Sequence, residues 1–191
     1  MWLTTRISVL LLASIVLSGE AKAEITDWKT IGWWDISFYS GSEGCSAFAA
    51  YDGGFSFFIG LAGREDLYLE IFIANKDWRS IEEGKEYEVT AKFGNESPWN
   101  LEMTGSVDDD FRALRLYVPA DSDDAGRFVQ EFMRETKMRW TYEGADLGLY
   151  KLNGSRRAFK EVVACTKSYR DAVRSSSDPF SRSSTGSDPF E

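Results

Sequence analysis

Histidine is missing from all 191 residues. That absence removes the Ser-His-Asp and Cys-His nucleophile arrangements and the imidazole ligand most often used for zinc. Cysteine is almost absent too, with Cys45 and Cys165 the whole supply. Two thiolates fall two ligands short of a structural zinc site, so no metal and no cofactor is expected. Long hydrophobic runs are lacking: the longest, Ile7 to Leu17, falls well short of the roughly 20 residues that cross a bilayer. Positive charge is in deficit, with 22 Lys+Arg against 31 Asp+Glu and a net charge of -9. Nucleic acid and anionic membrane surfaces are therefore poor partners. No G-x-G-x-x-G, Walker loop, G-x-S-x-G or S-x-x-K occurs.

What is present begins with an address. Arg6 precedes the apolar run, and the small-residue pattern Ala21-Lys22-Ala23 closes it. This layout predicts a secretory signal peptide over residues 1–23, cleaved after Ala23. Removing it takes away Arg6, Lys22 and Glu20, and the mature charge becomes about -10. The expected destination is the periplasm or the medium, with no membrane span once the signal is gone. Two cysteines in an oxidising compartment permit a single intramolecular pairing, Cys45 with Cys165. Two free buried thiols are the alternative.

From Glu24 to about Arg170 the hydrophobic pattern has period two over most of its length. Trp34, Ile36 and Phe38 share one face of a first strand, and Trp33, Asp35, Ser37 and Tyr39 share the other. Gly41-Ser42-Glu43-Gly44 and Asp52-Gly53-Gly54 read as turns around the strand that Cys45 opens. Glu86 to Phe93 alternates most cleanly. The period then changes: Ala125, Phe128, Val129, Phe132 and Met133 sit at helical spacing behind the acidic start Asp121-Ser122-Asp123-Asp124. A last helix carries Ala158, Phe159, Val162, Val163 and Cys165, with Ser155 as its expected cap. The fold class is mainly β, a bent antiparallel sheet or small barrel-like sandwich with two helices, the last tied to the sheet by the disulfide. Ala47 and Ala49 share a strand face with Cys45, and their small side chains would let that helix approach closely. Residues 171–191 are Ser-rich and repeat Asp-Pro-Phe at 178–180 and 188–190, which predicts a flexible tail.

Of 28 aromatic residues, 25 fall in the body, more than one core face needs. Trp33, Tyr39, Phe48, Phe58, Tyr68 and Phe72 fall on strand faces opposite the expected core. Either the two helices cover that second face, the plainer expectation, or it is a recognition surface. Trp33, Tyr39, Phe48 and Tyr68 are the candidate binding residues, for a protein partner or an apolar ligand.

Carboxylates are the remaining acid/base material. Glu82-Glu83 and Asp108-Asp109-Asp110 fall in turns, where a solvated charge run is the ordinary explanation. A carboxylate-dependent envelope hydrolase would need two acids converging in one cleft. A periplasmic inhibitor of another protein would instead need a rigid aromatic tip, for which Trp78 and Trp99 are the available residues.

Leu152, Gly154 and Ala158, after a strand and opening the terminal helix, form an L-x-G-x-x-x-A segment. This ending resembles the invasion-associated locus B family of exported bacterial proteins. The likeness covers about fifteen residues and the general layout, and this chain keeps only two cysteines where that family often carries more. It implies an exported, non-catalytic protein of envelope or host association, and it carries over no site residue. The function expected is a binding or accessory role rather than catalysis. Intact-mass measurement of the exported protein without reductant should read two hydrogens below the dithiol mass; a full dithiol mass would contradict the expected pairing.

Overall fold

Alternation of apolar and polar side chains drives this chain into sheet, and the break in alternation after Pro119 drives it into helix. The computed structural model describes residues 24–108 and 111–177. Within them lie β1 (Ile25–Ile31), β2 (Trp34–Tyr39), β3 (Gly44–Ala50), β4 (Phe55–Ala62), β5 (Tyr68–Asn75), β6 (Glu86–Phe93), β7 (Trp99–Asp108) and β8 (Phe111–Pro119). The helix α1 (Asp123–Arg134) follows, then β9 (Lys137–Tyr142), β10 (Ala145–Lys151) and α2 (Ser155–Ser177). The expected signal segment lies outside the described residues.

The strands form one ten-stranded sheet, ordered β1-β2-β3-β4-β5-β8-β7-β6-β9-β10, with every pairing antiparallel. The mainly β class, the bent sheet and the two helices agree with the sequence. The sheet curls until Tyr150 of β10 packs edge-on against Tyr51, Phe55 and Phe57 from its other half. The Tyr51 phenol donates to the Lys151 carbonyl at 2.9 Å, which fastens that approach.

β1 had no counterpart in the hydrophobic pattern. It is an edge strand exposed along nearly its whole length, and its register shifts between Asp27 and Lys29, so Trp28 is an extra residue. The bulge breaks period two where alternation would have revealed the strand. Trp28 and Lys29 both bond to Glu161, the indole nitrogen at 3.3 Å and the ammonium at 2.8 Å, which ties the edge to α2. The ammonium is half exposed, so the pair orients the edge more than it stabilises it.

The inner face of the sheet is the core. Trp34, Ile36, Cys45, Ala47, Ala49, Phe57, Ile59, Leu69, Ile71 and Ile73 are buried there, together with Val89, Phe93, Met103 and Trp140. α1 presses Phe128 onto Phe93 and Trp99, and Phe132 onto Trp34 and Phe57. Its N-cap is Ser122, whose side chain accepts from the Ala125 amide. Ser155 does not cap α2 as expected. Its hydroxyl donates to the Phe132 carbonyl at 2.7 Å, so it satisfies an orphan acceptor near the end of α1 and joins the two helices. Gly154 precedes it at φ +86°, a left-handed conformation that glycine takes without steric cost.

Cys45 and Cys165 are disulfide-bonded, with Cα atoms 6.0 Å apart and a sequence separation of 120. Ala47 and Ala49 are fully buried beneath α2 on the same face of β3, which is the close approach expected of them. α2 runs through Ser177, seven residues into the segment expected as a tail. Lys167 and Asp171 pair one turn apart, and the Ser175 hydroxyl donates to the Asp171 carbonyl at 2.9 Å, so local bonding carries the helix past the core. Both Asp-Pro-Phe repeats lie outside the described residues. Replacing Cys45 and Cys165 together by Ala should cost roughly 4–5 kcal/mol on the chain-entropy model, read as a lower denaturant midpoint; an unchanged midpoint would show that the bond does not restrain this fold.

Candidate functional site

Both helices pack on the inner face, through Cys165, Phe128 and Phe132, and neither covers the other side of the strands. This overturns the plainer expectation for the second aromatic face. Strand register sets what that outer face presents. Asp35, Phe48, Phe58, Phe72 and Arg115 are successive partners across β2, β3, β4, β5 and β8. The next row is Ser37, Ser46, Gly60, Glu70 and Tyr117, and the row beyond begins with Tyr39 and includes Tyr68. A line of small and polar residues thus runs between two aromatic flanks.

The rings form a connected strip. Phe48 and Phe58 centroids lie 4.6 Å apart, Phe58 and Phe72 5.0 Å, Tyr39 and Phe58 6.3 Å, and Phe72 stacks on Phe111 at 6.0 Å. Most of these contacts are edge-on or tilted, the arrangement in which ring quadrupoles attract. Phe72, Ala74 and Ala113 are buried as a small separate cluster with Phe58 against them. Phe48 and Tyr39 are half-buried, while Tyr68 and Tyr117 are exposed and meet edge-on at 6.5 Å.

Trp33 belongs elsewhere. It was expected on the strand face with Tyr39, but it occupies the turn between β1 and β2, 46% exposed. The strand that would have carried it starts one residue later, at Trp34. Of the four candidate residues, the fold therefore gathers Tyr39 and Phe48 into the strip, sets Tyr68 at its edge, and leaves Trp33 at a hairpin tip.

A groove of about 440 Å³ opens in this face, lined by Tyr39, Ser42, Ser46, Phe58, Glu70, Phe72, Arg115 and Tyr117, with Gly41 at the rim. Its floor is kept low at Gly60, where a Cβ would stand 2.1 Å from the Ser46 hydroxyl and 2.5 Å from the Cys45 carbonyl oxygen. Glu70 is buried, only 8% exposed. Its Oε1 accepts from the Tyr117 phenol at 2.9 Å and lies 3.4 Å from Arg115 Nε. The guanidinium of Arg115 sits over the Phe72 ring, 5.1 Å from its centroid. The Tyr117 ring is 46% exposed, but loss of water around its hydroxyl, with the charge of Glu70 adding to it, pushes the phenol up to about 12. Burial likewise pushes Tyr39 up to about 12, with Glu70, Asp27 and Asp35 contributing. Both phenols are therefore neutral donors at physiological pH.

Glu70, Arg115 and Tyr117 were not among the residues singled out from the sequence. A Glu at an outer position of a strand reads as a solvated residue, and only the pairing of β5 with β8 brings it against Tyr117 and Arg115.

A larger hollow of about 590 Å³ lies between α1 and the inner faces of β5, β7 and β8. Its floor is the flank of the core (Leu69, Ile71, Leu116, Phe128), and its polar rim of Asn100, Glu102, Asp124 and Arg127 is exposed. Nothing buried and polar there would orient a ligand. The outer groove has such a group in Glu70.

Other acids lie elsewhere: Glu65, Asp66 and Asp121 line a hollow by the β5 start, Glu102 and Asp124 stand on the exposed rim of the inner one, and Asp109 and Asp110 lie outside the described residues. Glu131, the buried carboxylate of α1, accepts from the Trp99 indole at 2.7 Å on the inner side of the sheet, across from Glu70. Glu83 accepts from the Val107 amide and Glu82 pairs with Lys85, so both are spent on turns. Trp99 is a buried core residue and Trp78 packs against the core, so neither is a protruding tip. No group of His, Cys, Asp or Glu able to hold a metal ion is found among the described residues.

Family models, curated proteins and solved structures all leave this chain without a match. The raised phenols have a stability consequence. A folded-state value above the unfolded one means the unfolded chain loses its protons first. The stability these phenols contribute is thus intact below pH 10 and is lost as pH rises toward 12. Tyrosinate absorbance should accordingly show a class of phenols ionising near pH 12 together with loss of structure; titration of every tyrosine near pH 10 would contradict the buried groove.

Proposed function

We propose that this chain is an exported, non-catalytic binding protein that takes its partner on the outer aromatic face of the sheet. The observation that carries the reading is the strip of Tyr39, Phe48 and Phe58, backed by the buried Phe72 and covered by neither helix. Large rings held in place by one another offer contact area at little further entropic cost, the property that makes Tyr and Phe effective interface anchors. The groove beside them adds oriented polar groups, which confer specificity.

Export has separate support. A disulfide joining residues 120 apart suits an oxidising compartment, and no helix among the described residues is long and apolar enough to cross a membrane. The signal-peptide layout of residues 1–23 and the likeness of Leu152, Gly154 and Ala158 to the invasion-associated locus B ending point the same way. A hydrolytic role finds less support, because Glu70 is the one carboxylate among the groove-lining residues and glycosidic hydrolysis uses two.

The test is affinity capture with the oxidised protein from an extract of its own cell envelope. Replacing Phe48 and Tyr68 by Ser should abolish recovery of the partner while leaving the thermal midpoint within a few degrees. Trp33→Ala, at the hairpin tip, should recover the partner fully. Undiminished recovery by the Phe48/Tyr68 variant would remove the outer face as the binding surface, and turnover of an envelope glycan lost on Glu70→Gln would replace binding by catalysis.

A further inference from the structure

The charges around the groove narrow the partner's chemistry. Glu70 presents Oε1 to Tyr117 and Arg115, and its Oε2 receives no hydrogen bond from a described residue. Asp27, which accepts from the Ser37 hydroxyl at 3.2 Å, stands at the far end of the small-residue row, and Asp35 heads the aromatic row beside Phe48. The groove lining itself holds one carboxylate, Glu70, beside one cation, Arg115, while Asp27 and Asp35 stand on the opposite border, across the intervening strands from Arg115. Glu70, Asp27 and Asp35 all act on the Tyr39 phenol, so the field is negative at the Tyr39 mouth of the groove.

Each class of occupant meets this arrangement differently. An anion would meet the Glu70 carboxylate in the floor and the field of Asp27 and Asp35 at the Tyr39 mouth. An uncharged apolar chain would strip water from the open oxygen of Glu70 and return no hydrogen bond, and an unsatisfied buried acceptor is costly. A guanidinium is best held by two carboxylate oxygens at once, whereas Glu70 has one to spare. An ammonium is a compact charge that needs a single good acceptor and is also attracted to ring faces. Arg115 over Phe72 already demonstrates that a cation is stable against these rings. From Ser46 across Gly60 to Glu70 the floor spans three strands, roughly 10 Å at ordinary inter-strand spacing, and it is free of bulky side chains.

We infer that the outer groove receives a lysine side chain of a protein partner, its aliphatic stem along the Ser46–Gly60 floor between the aromatic flanks and its ammonium at the open oxygen of Glu70. This rests on the reading of the outer face as a binding surface, and it specifies the chemistry of the partner.

The test maps amide chemical shifts of the oxidised protein with three small probes: Nα-acetyl-lysine methylamide, its norleucine counterpart, which keeps the stem and lacks the charge, and the arginine counterpart. The lysine probe should shift the Ser46, Gly60, Glu70 and Tyr117 amides and bind about tenfold more tightly than norleucine. Glu70→Gln should erase that advantage, while Asp77→Asn, an exposed acid beyond the far end of β5, should leave it intact. Should Glu70→Gln disturb the fold, the exposed pair Asp27→Asn and Asp35→Asn serves instead, with an expected loss of about threefold. Equal binding of norleucine, tighter binding of arginine, or shifts spread over the whole acidic surface would each overturn the lysine assignment. Partner capture that still depends on Phe48 and Tyr68 would then leave the binding face standing; capture independent of them would remove both.

Discussion

The bond between Cys45 and Cys165 is the constraint from which the remaining arrangement follows. It pins the middle of α2 to the start of β3, on the face where Ala47 and Ala49 leave room for a helix. Once α2 is there, the Ser155 hydroxyl reaches the Phe132 carbonyl and draws α1 alongside. Phe132 then fills the space between Trp34, Phe57 and Phe159. Trp34, fully buried, donates its indole proton to the Asn153 carbonyl at 3.0 Å and fixes the approach to α2. Both helices are consequently spent on one side of the sheet.

The other side keeps its rings clear of both helices. Edge-on packing buries part of each ring, and Phe72 with Ala74 and Ala113 forms a second, shallow core. Charge limits what remains. Asp27 and Asp35 at one border and Arg115 at the other interrupt the apolar strip, and the Ser37–Ser46–Gly60 row divides it. An uninterrupted strip of this kind would invite self-association. The β1 edge is guarded in a similar way, by its bulge and by Lys29, which discourage pairing with another chain. The outer surface therefore combines a partly packed aromatic strip with the buried carboxylate of Glu70.

The groove depends on register more than on composition. Glu70 lies between Gly60 of β4 and Tyr117 of β8, and a shift of one residue in either pairing would turn its side chain into the core. Gly60 matters for the same reason, since a side chain there would collide with Ser46 and fill the floor. The site is thus a product of five strands, β2 to β5 and the distant β8, and each of its members looks unexceptional alone.

Period-two alternation made the strands visible wherever one face was buried, as in Glu86–Phe93, and the change to helical spacing revealed α1. Local chemistry likewise announced the turns, the acidic start of α1 and the unique cysteine pairing, because each rests on residues adjacent in the chain or on elimination. β1 escaped because its bulge and exposure erase the alternation, and Trp33 was misplaced because the turn takes up one residue of the apparent strand. What only the tertiary structure decided is which face the helices cover, that β5 lies beside β8, and hence that Glu70, Arg115 and Tyr117 meet between Tyr39 and Phe72. Alternation tells two faces apart but is symmetric between them, and pairings between distant strands follow from packing across the whole sheet, which no local stretch of sequence encodes.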